Sequence, residues 1–164
     1  MTNPSNLLPR TEALLELKHK DQTINIEIKN DGNFYEMIAT DEKTGEKIGF
    51  VNFSIKYQMY GRQVWLQKIY VEEKMQNNGY GKTLLYAFEK FCIDQRATYI
   101  EGKYYPENET AVHFYNHNGY VVEVDGYDKL ITKSLNKEKV EQNYKTIEIP
   151  EATQVAESED CMQL

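Results

Sequence analysis

Apolar and polar residues alternate from Thr23 to Lys29, with Ile24, Ile26 and Ile28 separated by Asn25 and Glu27. A period of two puts the isoleucines on one face of a strand and buries that face. Asn30-Asp31-Gly32-Asn33 signals a turn. Phe34 to Thr40 reads as a second strand, Asp41 to Gly45 as another turn, and Lys47 to Tyr57 as a third strand with Ile48, Phe50 and Val51 apolar. Gly61 lies in the turn before a fourth strand at Arg62 to Val71, rich in β-branched and aromatic residues. Ahead of this meander, Thr11 to Lys20 fits either a short helix carrying Leu14, Leu15 and Leu17 or the start of a strand.

The period changes after Val71. Leu84, Leu85, Phe88, Phe91 and Cys92 fall at helical spacing and predict an amphipathic helix reaching toward Arg96. Thr98 to Lys103 is a short strand, and Tyr104 to Glu109 a loop containing Pro106. Asn108 is placed to cap a helix from about Glu109 to His117, which Asn118-Gly119 ends. Tyr120 to Val124 and Tyr127 to Lys133 form a hairpin around Asp125-Gly126. From Ser134 onward polar and acidic residues dominate without periodicity. Residues 1–135 are therefore expected to form one domain and 136–164 a flexible acidic tail, in which Tyr144 to Ile149 could dock as a strand.

The chain is organised around the strand, glycine turn and helix between Val64 and Arg96. Gly79 and Gly81 lie in the turn, and a helix N-terminus offers unpaired N–H groups and partial positive charge, so the arrangement suits a phosphate. Lys82 in the first helical turn opposes the helix dipole, a placement that fits a bound anion or a solvated helix face. Gly81-Lys82-Thr83 does not complete a Walker A loop, which needs glycine where this chain has Gln76. The dinucleotide fingerprint also fails, because no third glycine follows at the required spacing. What remains is Gln76-x-x-Gly79-x-Gly81.

This stretch resembles the pyrophosphate loop of the GNAT superfamily of N-acetyltransferases, (Arg or Gln)-x-x-Gly-x-(Gly or Ala). A second stretch, Asn108-x-x-Ala111-x-x-Phe114-Tyr115-x-x-x-Gly119-Tyr120, resembles the family's following helix at every marked position. The spacing between them fits one helix plus one strand, and the resemblance extends from Ile48 to Lys133. It implies an α/β (α+β) GNAT fold: a mixed, mostly antiparallel twisted sheet of about six to seven strands, with the strand, glycine loop and helix at its centre and flanking helices.

It also implies a chemistry. Acetyl-CoA is the co-substrate and no metal is required. Ile69, Tyr70 and Val71 would pair with the pantetheine arm. Gln76, Asn77, Asn78, Gly79, Tyr80, Gly81, Lys82 and Thr83 would hold the pyrophosphate. Tyr115 would be the general acid that protonates the leaving thiolate, and Asn108 would contact CoA or the acceptor. An amine attacks the thioester directly, so no nucleophilic serine or cysteine is needed. Gln67 stands where related sequences often carry a glutamate, which leaves Glu72, Glu73 and Glu101 as candidates to relay the amine's proton through water.

Composition narrows the partners. A chain of 164 residues with net charge −7 fits one domain without a general nucleic-acid surface, and suits a cationic small amine or a peptide amine as acceptor. Cys92 and Cys161 make no disulfide framework, and Cys92 belongs to the apolar helix face. No apolar run spans a bilayer and no signal peptide stands at the N-terminus, so a cytoplasmic location without membrane association is expected. His113 and His117 have the spacing of a zinc pair but no evident third ligand.

Two departures from the family pattern matter. The turn at Lys29 to Asn33 leaves no room for the helices that usually wall the acceptor site, so that side is open or is completed by a second copy in a homodimer. The loop also carries Asn77 and Asn78 where a basic residue and glycine are common. A competing reading is therefore a GNAT-fold module that binds CoA or a protein without catalysis.

Overall fold

The computed structural model describes residues 12–59, 61–123 and 129–143. Five strands come first: β1 (Glu12–His19), β2 (Gln22–Asp31), β3 (Phe34–Asp41), β4 (Lys47–Gln58) and β5 (Gly61–Val71). A single 3-10 turn, Glu73–Met75, leads to helix α1 (Tyr80–Asp94). Then follow β6 (Ala97–Lys103), α2 (Glu109–His117), β7 (Val121–Val122), β8 (Leu130–Ser134) and α3 (Lys137–Asn143). One eight-stranded sheet has the order β1-β2-β3-β4-β5-β6-β8-β7. Among the described residues only the β5–β6 pair is parallel, joined by α1 as crossover.

The stretch from Thr11 to Lys20, open to two readings, is a strand. Leu17 pairs with Ile24 in the β1–β2 register, and both are buried. A local helix would have left the exposed edge of β2 without this partner, so sheet pairing decided between two locally acceptable patterns. The extra strand also raises the sheet from the expected six or seven strands to eight. The helix at Glu109–His117 stands where the sequence put it, with the Asn108 side chain accepting from the Ala111 N–H at 3.1 Å. Residues 137–143, expected within the tail, form α3, whose Val140 is buried beside α1. The remainder of the expected tail, residues 144–164, and the turn at 125–126 lie outside the described residues.

The helices share one face of the sheet. Phe53 of β4 meets Phe88 and Phe91 of α1 edge to face, and Tyr35 of β3 meets Phe91. Ile24, Ile26, Ile28, Met37, Val51, Val64 and Ile100 complete this core. Cys92 lies within it, its thiol pushed up by burial. A buried ion pair crosses the layer: Lys133 of β8 donates to Glu89 of α1 at 2.8 Å and to the Asn118 carbonyl at 2.9 Å, while the Tyr120 hydroxyl donates to Glu89 at 2.7 Å.

The other face presents Glu36 and Ile38 of β3, Phe50 and Asn52 of β4, Trp65 and Tyr70 of β5 and Glu101 of β6, matched across the strands by register. Among the described residues no helix covers this face, and Phe34 on it is 60% exposed. The tight turn after β2, with Gly32 at φ +62°, leaves no chain from which to build one there.

Candidate active site

The sheet parts beside β5. This strand follows β4 through to the Gly49–Val71 pair, but it pairs with β6 only from Arg62 to Leu66. Beyond that point β6 stays with β8: Lys103 pairs with Leu130, and the Tyr104 N–H donates to the Lys129 carbonyl at 2.9 Å. Gly102 marks the fork. A β-carbon there would sit 2.9 Å from the Leu66 carbonyl oxygen, so only glycine lets the two strands meet so closely just before they separate. Past the fork, among the described residues, no strand lies beside residues 67–71 on the β6 side. This unpaired edge contains Ile69, Tyr70 and Val71. Gln67 is the extra residue of a β-bulge, because Leu66 pairs with Phe53 and Lys68 with Asn52.

The glycine loop closes the end of this edge. Gln76 donates from Nε2 to the Val71 carbonyl at 2.9 Å and ties the loop to the strand. Asn77 takes φ +68°, and Asn78 turns its amide back onto the Met75 and Gln76 carbonyls at 3.2 and 3.1 Å. Gly79, at φ +83°, is the N-cap of α1. A backbone bond across it runs from the Thr83 N–H to the Gly79 carbonyl at 3.4 Å, and a helix start directs its leading N–H groups out of the helix, where an anion can meet them. At Gly81 a β-carbon would lie 3.1 Å from Phe114 Cε1. Glycine here lets α2 seat against the first turn of α1, and Tyr115 is carried along with it.

Two residues of the loop turn inward. Tyr80 is 8% exposed, and its hydroxyl donates to the Gln22 side chain of β2. Thr83 is 2% exposed, with its N–H engaged by Gly79 and its hydroxyl by His19. Their side chains shape the loop from within. Lys82 is half-buried on the same first turn.

His19 is the residue that sequence reasoning did not single out. It ends β1, 59 positions before Asn78, yet its Nε2 is 2.8 Å from the Asn78 carbonyl and its Nδ1 2.9 Å from the Thr83 hydroxyl. Its ring lies 4.6 Å from that of Tyr80, centroid to centroid. A lone histidine before a turn carries no motif, and its partners are brought to it only by sheet pairing. Beside it opens a cavity of about 640 Å³, lined by Lys18, Lys20, Gln22, Asn78 and Tyr80 among others. That cavity lies on the β1 side of the loop, not at the fork.

Tyr115 is buried, its ring edge-on to Tyr120 at 5.5 Å. Burial pushes its phenol up to about 12, so the hydroxyl is protonated throughout the neutral range. Asn108 is exposed and spends its side-chain oxygen on capping α2. Of the three acidic candidates, Glu72 and Glu73 flank the start of the 3-10 turn. Glu101 lies on the uncovered face, one residue before the fork, and accepts a hydrogen bond from Gln63 Nε2. His113 and His117 stack with centroids 6.1 Å apart, and among the described residues no three potential metal ligands converge.

Comparison with known proteins gives the following. The profile described as the Acetyltransferase (GNAT) family matches residues 6–120. Among solved structures, the chain is similar to the PaiA N-acetyltransferase of Thermoplasma acidophilum in complex with coenzyme A, at 24% identity and a TM-score of 0.53, covering 62% of this chain and 61% of that one. It is similar to NAA60 of Arabidopsis thaliana in complex with a bisubstrate analogue, at 18% identity and a TM-score of 0.54, covering 65% and 79% of the two chains. It is also similar to the KacTA–DNA complex, at 16% identity and a TM-score of 0.56, covering 71% and 76%. At these identities the likeness is one of fold, and the first match spans about three fifths of the Thermoplasma chain. A search of curated sequences found no significant match. Among the described residues no helix is long and apolar enough to cross a membrane.

Proposed function

The chain belongs to the GNAT family of acetyltransferases, and from that premise we propose that it transfers the acetyl group of acetyl-CoA directly to a primary amine, borne by a small cationic molecule or by a peptide. The observation that carries this reading is the fork between β5 and β6, with the glycine loop at its mouth. A pantetheine arm would pair with the unpaired edge at Ile69, Tyr70 and Val71, as an added strand pairs with a sheet edge. The pyrophosphate would rest on the backbone from Gln76 to Gly81, with Lys82 adding charge. The coenzyme A bound by PaiA and the bisubstrate analogue bound by NAA60 support this use of the fold.

The acceptor amine reaches the thioester from the uncovered face of the sheet. Its lone pair attacks the carbonyl carbon, and a free N–H of the β5 edge meets the oxygen as charge develops there. The carbon–sulfur bond then breaks. Tyr115 gives its proton to the departing sulfur, while the amine's surplus proton leaves through water toward Glu101. The products are an N-acetylated amine and CoA thiol, and no metal ion takes part. Asn108 would serve chiefly by holding the first turn of α2, and so Tyr115, in place. Net charge of −7 favours a cationic acceptor. A second copy of the chain over the open face belongs to this reading, whereas nucleic acid and membrane do not.

The bare acceptor face also supports the competing reading of a binding module without turnover. Calorimetric titration with acetyl-CoA, beside ATP as control, separates the cases when followed by Tyr115→Phe. An enzyme binds acetyl-CoA, releases CoA thiol with a suitable amine, and loses about 100-fold or more in kcat on Tyr115→Phe while keeping its affinity for the cofactor. Binding without thiol release across a panel of amines supports the module. Absence of acetyl-CoA binding refutes the enzyme and leaves only the protein-binding form of the module.

A further inference from the structure

We propose that His19 is a positioning residue for the cofactor: it sets the Asn78–Gly79 peptide so that the Gly79 N–H faces the pyrophosphate. The proposal rests on the acetyl-CoA reading above and assigns a role to β1, the strand that the sheet has gained.

The Asn78 carbonyl can only accept a hydrogen bond, so the His19 nitrogen facing it at 2.8 Å, Nε2, must carry a proton. The peptide unit between Asn78 and Gly79 is planar and trans, so its N–H points opposite to its carbonyl. With the carbonyl held on the β1 side, the Gly79 N–H is turned away from β1 and toward the ligand side of the loop. His19 Nδ1 meets the Thr83 hydroxyl at 2.9 Å, which fastens the other end of the same helical turn.

The loop's other side-chain ties, Gln76 to Val71 and Asn78 to Met75 and Gln76, hold its first half and leave the Asn78–Gly79 peptide to His19. Asn77, Asn78 and Gly79 are exposed, and the φ values of Asn77 and Gly79 are positive. The brace is therefore polar and continuous. The His19 ring packs at a 33° tilt against Tyr80, Tyr80 donates to Gln22, and Gln22 donates to Asp41 at 2.6 Å. The His19 ring also explains part of the demand for glycine at 79, where a β-carbon would lie 3.2 Å from Cε1. One side of the ring borders a cavity and the other packs on Tyr80, so its loss removes two hydrogen bonds and one ring contact. An anion site whose amides are already aimed binds without the cost of ordering them, so the effect belongs in cofactor affinity.

The test compares His19→Ala, His19→Gln and Thr83→Val with the wild type in the full chain. Each is titrated with CoA and assayed with two donors, acetyl-CoA and S-acetylpantetheine, which lacks the pyrophosphate. His19→Ala should weaken CoA binding and raise KM for acetyl-CoA about tenfold, with kcat at saturation changed less than twofold. With S-acetylpantetheine, His19→Ala and wild type should have equal kcat/KM. Glutamine can place an N–H near the position of Nε2, so His19→Gln should recover most of the affinity, and Thr83→Val should show a smaller loss. Equal losses with both donors would mean a merely structural role and would overturn the proposal, as would unchanged CoA affinity in His19→Ala. A wild type that does not bind CoA at all would instead overturn the acetyl-CoA reading on which it stands.

Discussion

Replacing Lys133 by methionine should be among the most damaging single changes in the helical layer. Glu89 is fully buried and Lys133 is 8% exposed. The ammonium lies 2.8 Å from Glu89 Oε1, 2.9 Å from the Asn118 carbonyl and 5.1 Å from the centre of the Tyr120 ring. Methionine fills much the same space but removes the charge, so Glu89 keeps its charge in the core without the ammonium that neutralises it. Breaking a buried pair in this way costs about 3–5 kcal/mol, against a total stability of about 5–15 kcal/mol for a domain. At about 2–4 °C per kcal/mol for a chain of this size, the midpoint should fall by roughly 6–20 °C. Removing both charges is different: Glu89→Leu with Lys133→Met should recover most of the loss, because neither charge is then desolvated.

Urea unfolding followed by tryptophan fluorescence reads both variants, with the slope checked for constancy. The pH dependence supplies a second sign. In the single variant, burial without a cation raises the Glu89 pKa of the folded state above its unfolded value near ~4.3. A raised acid penalises the folded state only where it must ionise, so the deficit should be largest at neutral pH and shrink as pH falls toward about 5. A single variant within about 0.5 kcal/mol of wild type, or a double variant no better than the single, would refute this account of the pair. Because Tyr120 bonds Glu89 and packs on Tyr115, the single variant should also lose turnover in step with its local order.

Other outcomes follow from the site. With its phenol pushed up to about 12, Tyr115 stays protonated as pH rises, so kcat should increase with deprotonation of the amine and show no alkaline decline below about pH 11; a decline near pH 9 that vanishes in Tyr115→Phe would contradict its burial. Lys82→Glu should weaken acetyl-CoA binding about tenfold, and the difference should narrow in high salt; equal affinity at low salt would remove Lys82 from the pyrophosphate site. Gly81→Val should push Phe114 off the first turn of α1, costing about 1–3 kcal/mol of stability by overpacking and lowering kcat more than cofactor affinity. Thermal unfolding beside steady-state kinetics tests that split.

What the amino-acid order determined by itself is local. Ile24, Ile26 and Ile28 alternate because their strand has one buried face, and that period needs no knowledge of the partner. The helices at Tyr80–Asp94 and Glu109–His117 were legible from apolar spacing, the Gly79 turn and the Asn108 cap. So was the turn at Gly79, since backbone at φ +83° favours glycine. Tertiary structure decided what pairs with what. Thr11 to Lys20 carried two acceptable periods, and only the edge of β2 selected the strand. The fork after Leu66 leaves no local pattern and was implied only through the family resemblance, which gave Ile69, Tyr70 and Val71 to the pantetheine arm, because it depends on β6 following β8, a strand formed some thirty residues later. His19 reaches Asn78 and Thr83 for the same reason. Hydrogen bonds between residues distant along the chain are fixed by sheet register, and register is a property of strands together, not of any one of them.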